Sequence, residues 1–267
     1  MCLVTFARNS HPDYPLILLA NRDELYSRPS SPVHFWQDHP AIVGGRDLEQ
    51  GGTWLGLNRT GRFATLTNHP FADWQPHQPT QSRGHLVSRF LMEEAEPEAY
   101  LEVLRATRQQ YEGYHLVFGT LDQLFVYSNV SDDVETFEPG IYGISNTYDD
   151  LSRHKEQRSV SLLQDYLANH AVPEIDDLLN IFRDAVPSDH LEDYPPQLEA
   201  ELVRKNSAIF ITGQHFGTVG TTALLIDKQG RVQLKEVRFN QLEAIETTEE
   251  VFYLDKHLPD QATEVRP

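Results

Sequence analysis

The chain has 267 residues, 39% of them apolar, and a formal net charge of −18. That length falls within reach of one large α/β or sandwich unit spanning 1–267, and the apolar share is enough for a sizeable core. So acidic a chain repels phosphate backbones, which argues against nucleic acid as a partner. No apolar run approaches the ~18 residues of a membrane span. The start has no charged segment followed by an apolar one, so a cytoplasmic location is expected.

The charge is uneven. Residues 1–92 hold 8 basic and 7 acidic residues, and the remainder 14 and 33. The acidic part reads as solubilising surface. The near-neutral first third leaves Arg22, Arg28, Arg46, Arg59, Arg62 and Arg83 to favour a small anionic ligand.

In chain order, Leu3, Val4 and Phe6 predict a strand and Leu16 to Ala20 a second. The turn formers Asn9-Ser10-His11-Pro12-Asp13 between them make antiparallel pairing the simplest outcome. That pairing returns Asn21-Arg22-Asp23-Glu24 to the side of Cys2, the single cysteine. Arg28 to Pro32 reads as an extended loop because each proline disfavours helix before it. Phe35 and Trp36 are expected to be buried. The glycine pairs of the 44–56 stretch imply tight turns and close backbone approach, not a phosphate loop, since no Gly-Lys-Ser/Thr ending follows. Trp54 to Asn58 and Arg62 to Asn68 predict a β-hairpin around Arg59-Thr60-Gly61.

A loop rich in proline and glutamine covers 70–82. Leu86, Val87, Phe90 and Leu91 recur at helical spacing, and Pro97 suits the first turn of another helix reaching Gln109. Strands are expected over Tyr114–Thr120, Leu124–Ser128 and Ile141–Asn146. Helices are expected over 150–169 and 174–185, with Leu162, Leu163, Tyr166 and Leu167 as the apolar stripe of the first. The acidic, proline-containing stretch 186–205 reads as an exposed excursion. Ser207–Thr212, Thr221–Asp227 and Arg231–Phe239 read as strands, and the polar tail from 256 as loosely ordered. Strand blocks separated by helix pairs favour an α+β fold with antiparallel sheets covered by helices. A four-layer helix–sheet–sheet–helix sandwich accommodates this order.

Cysteine catalysis requires a base or positive charge beside the thiol. None of the 12 histidines stands in a cysteine-protease context. Removal of Met1, which a small second residue permits, would leave Cys2 with a free α-amine. That amine has an ordinary pKa of about 7.7–8.0 and can serve as base for its own thiol. An acid such as Asp23 could hold it, and side-chain amides could bind an oxyanion. Taken alone, Cys2 reads first as a small apolar residue at a strand start, and the Asn-Arg-Asp-Glu run equally as a buried polar network. The histidines, among them His11, His34, His39, His69, His77 and His85, show no metal-binding spacing, so no metal is expected.

Several blocks shift that balance. Met1-Cys2-Leu3, Ala20 to Glu24, Gly51 to Gly56, Thr67-Asn68, Ser82-Arg83-Gly84, Tyr142 to Asn146 and Phe216-Gly217-Thr218 together resemble the NRDE family of transport-and-Golgi-organisation type. The resemblance implies an N-terminal-nucleophile hydrolase fold, nearest the choloylglycine hydrolase and penicillin V acylase type, in which an N-terminal cysteine attacks an amide. It implies Cys2 as nucleophile, Asp23 as contact of the cysteine amine, and Asn68 and Asn146 as asparagines of the oxyanion site. Asn21, Arg22 and Arg83 become the expected substrate contacts, for a small-molecule amide. Ala20 stands where the acylases carry arginine, and Val219 where many family members do. No cofactor is expected for a hydrolase. Family members have also been linked to haem handling, which implies an alternative: a non-catalytic binder of haem or a hydrophobic ligand, with Cys2 or a histidine as axial ligand.

Overall fold

The computed structural model describes residues 2–69, 74–77, 80–146, 149–189 and 199–255. The first apolar runs form β1 (Cys2–Arg8) and β2 (Leu16–Leu25), antiparallel, with Cys2 opposite Arg22. β3 (Ser30–Phe35), β4 (Ile42–Asp47), β5 (Leu55–Asn58) and β6 (Phe63–Asn68) follow as a meander. Then come α1 (Gly84–Met92) and α2 (Pro97–Thr107), the second opening on proline, which needs no hydrogen-bond partner there. β7 (Tyr114–Gly119), β8 (Leu124–Ser128) and β9 (Asp133–Thr136) complete a seven-stranded sheet in the order β3-β4-β5-β6-β7-β8-β9.

β10 (Gly140–Ser145) crosses to the first sheet and pairs with β1. After α3 (Asp149–Asn169), α4 (Ile175–Ile181) and α5 (Ala200–Asn206), the strands β11 (Phe216–Ile226), β12 (Arg231–Asn240) and β13 (Glu243–Tyr253) finish it. Its order is β10-β1-β2-β11-β12-β13, and all its pairings are antiparallel.

Strand alternation divides the core into three layers. Val4, Phe6 and Leu18 meet Val43, Leu57 and Val117 between the sheets. Leu3, Ala7, Ile17 and Leu19 face outward onto Leu163, Leu178 and Phe182. On the far side Ala64, Leu116 and Phe118 pack beneath Leu86, Phe90, Tyr100 and Leu104. The result is the expected four-layer α+β sandwich.

Several elements differ from expectation. The loop predicted at Arg28–Pro32 gives way to edge strand β3, whose register breaks between Ser31 and His34. An edge strand tolerates Pro32 because the missing N–H leaves no inner ladder unpaired. Ser207–Thr212 is not a strand; Phe210 N–H donates to the Asp184 carbonyl and Ile211 N–H to Thr218 Oγ1, so side chains and loops replace the ladder. β10 leaves its sequence neighbours β7 and β8 and pairs with β1 in the other sheet. β9, β13 and α5 were not expected, and α4 is shorter than its predicted range. Within the glycine-rich stretch Gly44 and Gly45 lie inside β4, and Gly51 turns the chain at φ +75°. A Cβ on Gly45 would come within 2.5 Å of the Trp54 ring. Expectations for 70–73, 78–79, 190–198 and the tail from 256 lie outside the described residues. Among the described residues no helix is long and apolar enough to cross a membrane.

Candidate active site

The ends of β1, β2, β6 and β10 converge at one side of the sandwich. Cys2 opens β1, and its backbone nitrogen donates to Asn146 Oδ1 at 2.8 Å, just past the end of β10. Thr67 Oγ1 donates to the Ser145 carbonyl at 3.2 Å, which ties the end of β6 in one sheet to the end of β10 in the other. Asn68, next after Thr67, is thereby brought to Cys2. Both residues line a pocket of about 120 Å³ with Arg22, Asp23, Trp54 and Arg83. That is well below the ~300–1,000 Å³ usual for drug-sized ligands, and it suits a small group. Among the described residues no hydrogen bond engages the Asn68 side-chain amide, and Asn146 uses only its oxygen.

Period-two alternation sorts the Asn-Arg-Asp-Glu run. Arg22 faces inward with Cys2; its guanidinium stacks 4.2 Å over the Trp54 ring and reaches Ser30 Oγ at 3.2 Å. Asn21 and Asp23 face outward, toward the helices. Asn21 donates to the carbonyls of Phe182 and Ile209 and accepts from Thr221 Oγ1. Asp23 accepts from Thr218 Oγ1 at 2.6 Å. Thr218 and Thr221 stand three apart, yet both reach this face, because a β-bulge breaks the register between Thr218 and Gly220. Val219 is the extra residue of that bulge.

The pocket is electropositive on its inner side. Arg83 precedes α1 and donates to the Gly113 carbonyl at 2.9 Å. It is set there by Gly52, whose Cβ would lie 2.5 Å from the Gly84 carbonyl carbon. Arg28 is neutralised by Asp47 at 2.7 Å and by Glu24 and Glu49 farther off. Arg22 and Arg83 have no such carboxylate partner among the described residues. Burial pulls both guanidiniums below their ordinary range, and a charge on Cys2 is the first of the influences acting the other way. Burial pushes Asp23 above the ordinary carboxylate range; the positive charge of Lys155 and the Thr218 hydrogen bond are among the influences that pull it back.

A sequence model described as "Transport and Golgi organisation 2" matches residues 1–241. The chain belongs to the Transport and Golgi organisation 2 family. Relatives include the human Transport and Golgi organization protein 2 homolog, 32% identical over 262 residues, which cover 88% of this chain and 92% of that protein. The Drosophila melanogaster Transport and Golgi organization protein 2 is 25% identical, over 88% and 91% of the two chains. Among solved structures, the C2A mutant of the conjugated bile acid hydrolase from Clostridium perfringens superposes with a TM-score of 0.55 at 12% identity, covering 96% of this chain and 93% of that one. A Caenorhabditis elegans ortholog of N-acylethanolamine-hydrolyzing acid amidase gives 0.51 at 8% identity, over 84% and 92%. At these identities the likeness is one of fold. It agrees with the N-terminal-nucleophile hydrolase architecture expected from the motifs.

In this family member, then, Cys2, Asp23, Asn68, Asn146, Arg22 and Arg83 come together, and Asn21 does not join them. Its three hydrogen bonds are spent on chain segments outside the pocket, so the expected substrate contact is a structural tie. Asn146 was expected at the oxyanion; its oxygen holds the Cys2 nitrogen, and only its amide N–H groups are left for a ligand. Among the described residues no histidine lines the pocket, and of the axial ligands considered for haem Cys2 is the one found there. Among the described residues no group of three His, Cys, Asp or Glu side chains is arranged to hold a metal ion. Sequence reasoning missed Thr218, the partner of Asp23, and Lys155, buried in α3. Thr218 lies in a quoted motif block and was legible; Lys155 sits in a run of charged residues that carries no signal.

Proposed function

We propose that the chain, once Met1 is removed, is an N-terminal cysteine amidohydrolase acting on a small amide that bears an acidic group. The observation that carries this reading is the 2.8 Å contact between the Cys2 nitrogen and Asn146 Oδ1, made in a pocket that also presents the unengaged amide of Asn68. The bile acid hydrolase of similar fold was studied as a C2A variant, so it too has a cysteine at position two.

The freed α-amine takes the Cys2 thiol proton, and the sulfur attacks the amide carbonyl to form an S–C bond. The oxyanion accepts hydrogen bonds from the amide N–H groups of Asn68 and Asn146. Collapse breaks the C–N bond, and the leaving amine takes the proton held by the α-ammonium. A water molecule, deprotonated by the same amine, then hydrolyses the thioester, releasing the acid and restoring the thiol. Asp23 and Asn146 hold the amine throughout. Arg22 and Arg83, lacking carboxylate partners, supply two donors for a carboxylate or phosphate of the substrate.

Cys2→Ala tests this on a panel of small N-acyl amino acids. Turnover should fall by ~10³-fold or more, while stability stays within ~0.5 kcal/mol because Cys2 is only half-buried. Unchanged turnover in the variant would remove the mechanism.

A further inference from the structure

Lysine is almost never fully buried without a partner, and an unpaired buried cation is costly to hold. Lys155 is 2% exposed, and no hydrogen bond reaches its Nζ. A fold that keeps such a group invites the question of what it opposes. Two contacts fix where it sits. Glu156 accepts from both the backbone N–H and the hydroxyl of Ser145, at 2.7 and 2.8 Å, and Ser159 meets Thr5 Oγ1 at 2.6 Å. One face of α3 is thereby pinned across β10 and β1. Lys155, one turn before Ser159 on that face, lies toward the Cys2 end of β1. It shares the outward side of the sheet with Asp23, which is buried as well. Two buried groups of opposite charge thus lie at the same end of the sandwich, and the lysine charge favours the ionised Asp23 carboxyl.

We propose that Lys155 is a positioning residue of the Cys2 site: its cation balances the Asp23 carboxylate, so that the α-amine of Cys2 is held but left neutral and able to accept a proton. The inference rests on the amidohydrolase reading for its purpose, but not for its test. An isolated carboxylate beside the amine would favour the ammonium form, which cannot act as base. A second cation on the carboxylate's other flank cancels that bias while leaving the hydrogen-bonding geometry in place. The remaining charges act from other sides. Arg22 and Arg83 face the thiol from the inner pocket, and Glu24 continues β2. On α3, Glu156 is committed to Ser145 and Arg158 to Asp184. Among the described residues β11 contributes the uncharged Thr218, and the Tyr26 hydroxyl, beside Gly217, feels the Asp23 charge.

The single cysteine gives a direct readout. Isotope-labelled cysteine places one reporter at the amine, which NMR can titrate in the full chain after mass spectrometry has shown that Met1 is absent. In Lys155→Met the titration should move up by about one unit, while Lys155→Arg should stay near wild type. Asp23→Asn, with Lys155 unopposed, should move it down, and it serves should Lys155→Met fail to fold. A folded Lys155→Met with an unshifted amine overturns the proposal, and so does an unshifted Asp23→Asn. The titration needs no substrate. Shifted amines in a protein without turnover would therefore uphold Lys155 and remove the amidohydrolase reading, and turnover with unshifted amines would do the reverse.

Discussion

At the residue scale, the tetrapeptide at 21–24 divides its labour by strand alternation. Arg22 shares the inner face with Cys2, and Asn21 and Asp23 share the outer one. That division was legible once the β1–β2 pairing was assumed, and it shows why Asn21 is a tie and not a ligand contact. Asn21→Ala should cost ~3 kcal/mol, because it leaves two buried carbonyls and the Thr221 hydroxyl without their partner. Urea denaturation measures it, and a loss below ~1 kcal/mol would contradict the assignment. Cys2, Asp23, Asn68 and Asn146 were legible through the quoted motif blocks, since spacing alone cannot show that four strand ends meet. Lys155 was not, because burial of a lysine leaves no mark in a sequence of alternating charges.

At the element scale, hydrophobic patterning found β1, β2, the β5–β6 hairpin, α1 and the β11–β12 pair, each with an apolar face, and Pro97 marked the start of α2. Patterning missed β13 because residues on both its faces, such as Glu246 and Glu249, are exposed and no buried face repeats along most of its length. β12 carries a less visible feature. Glu236 is 2% exposed, and its carboxylate accepts from Val33 N–H of edge strand β3 at 2.9 Å, joining the two sheets. Burial pushes it up to about 7, against the pull of that hydrogen bond and of Arg238 and Arg22. A carboxyl raised on folding binds its proton more tightly in the native state. Its stability contribution is therefore whole below the unfolded value and is lost as pH climbs from ~4.5 to ~7, by up to ~3 kcal/mol. Glu236→Gln keeps the acceptor and removes the titration. The variant should match wild type near pH 4 and exceed it near pH 8, as read from denaturant midpoints. Parallel pH curves for the two proteins would contradict this.

At the scale of the whole molecule, the order of strand blocks and helix pairs was enough for an α+β fold, which a four-layer sandwich accommodates because each sheet must cover both faces; the resemblance supplied the four layers themselves. The order could not show that β10 leaves its sequence neighbours to flank β1, yet that crossing is what delivers Asn146 to Cys2. The net charge of −18 acts on the fold as a whole. Raising salt from about 0.01 to 0.15 M shortens the screening length from about 30 to 8 Å and should raise the melting temperature by a few degrees. A fall would point to ion pairs such as Arg28–Asp47 outweighing the repulsion. The central claim concerns the first residues: a thiol that becomes a nucleophile when its own amine is free. The most direct measurement is mapping, by mass spectrometry, of the acyl adduct left by an activated amide or lactone probe on two forms of the protein, with and without Met1. The expected result is stoichiometric acylation of Cys2 in the form lacking Met1 and little in the form that retains it. Equal labelling of the two forms, or labelling elsewhere than Cys2, would contradict the account.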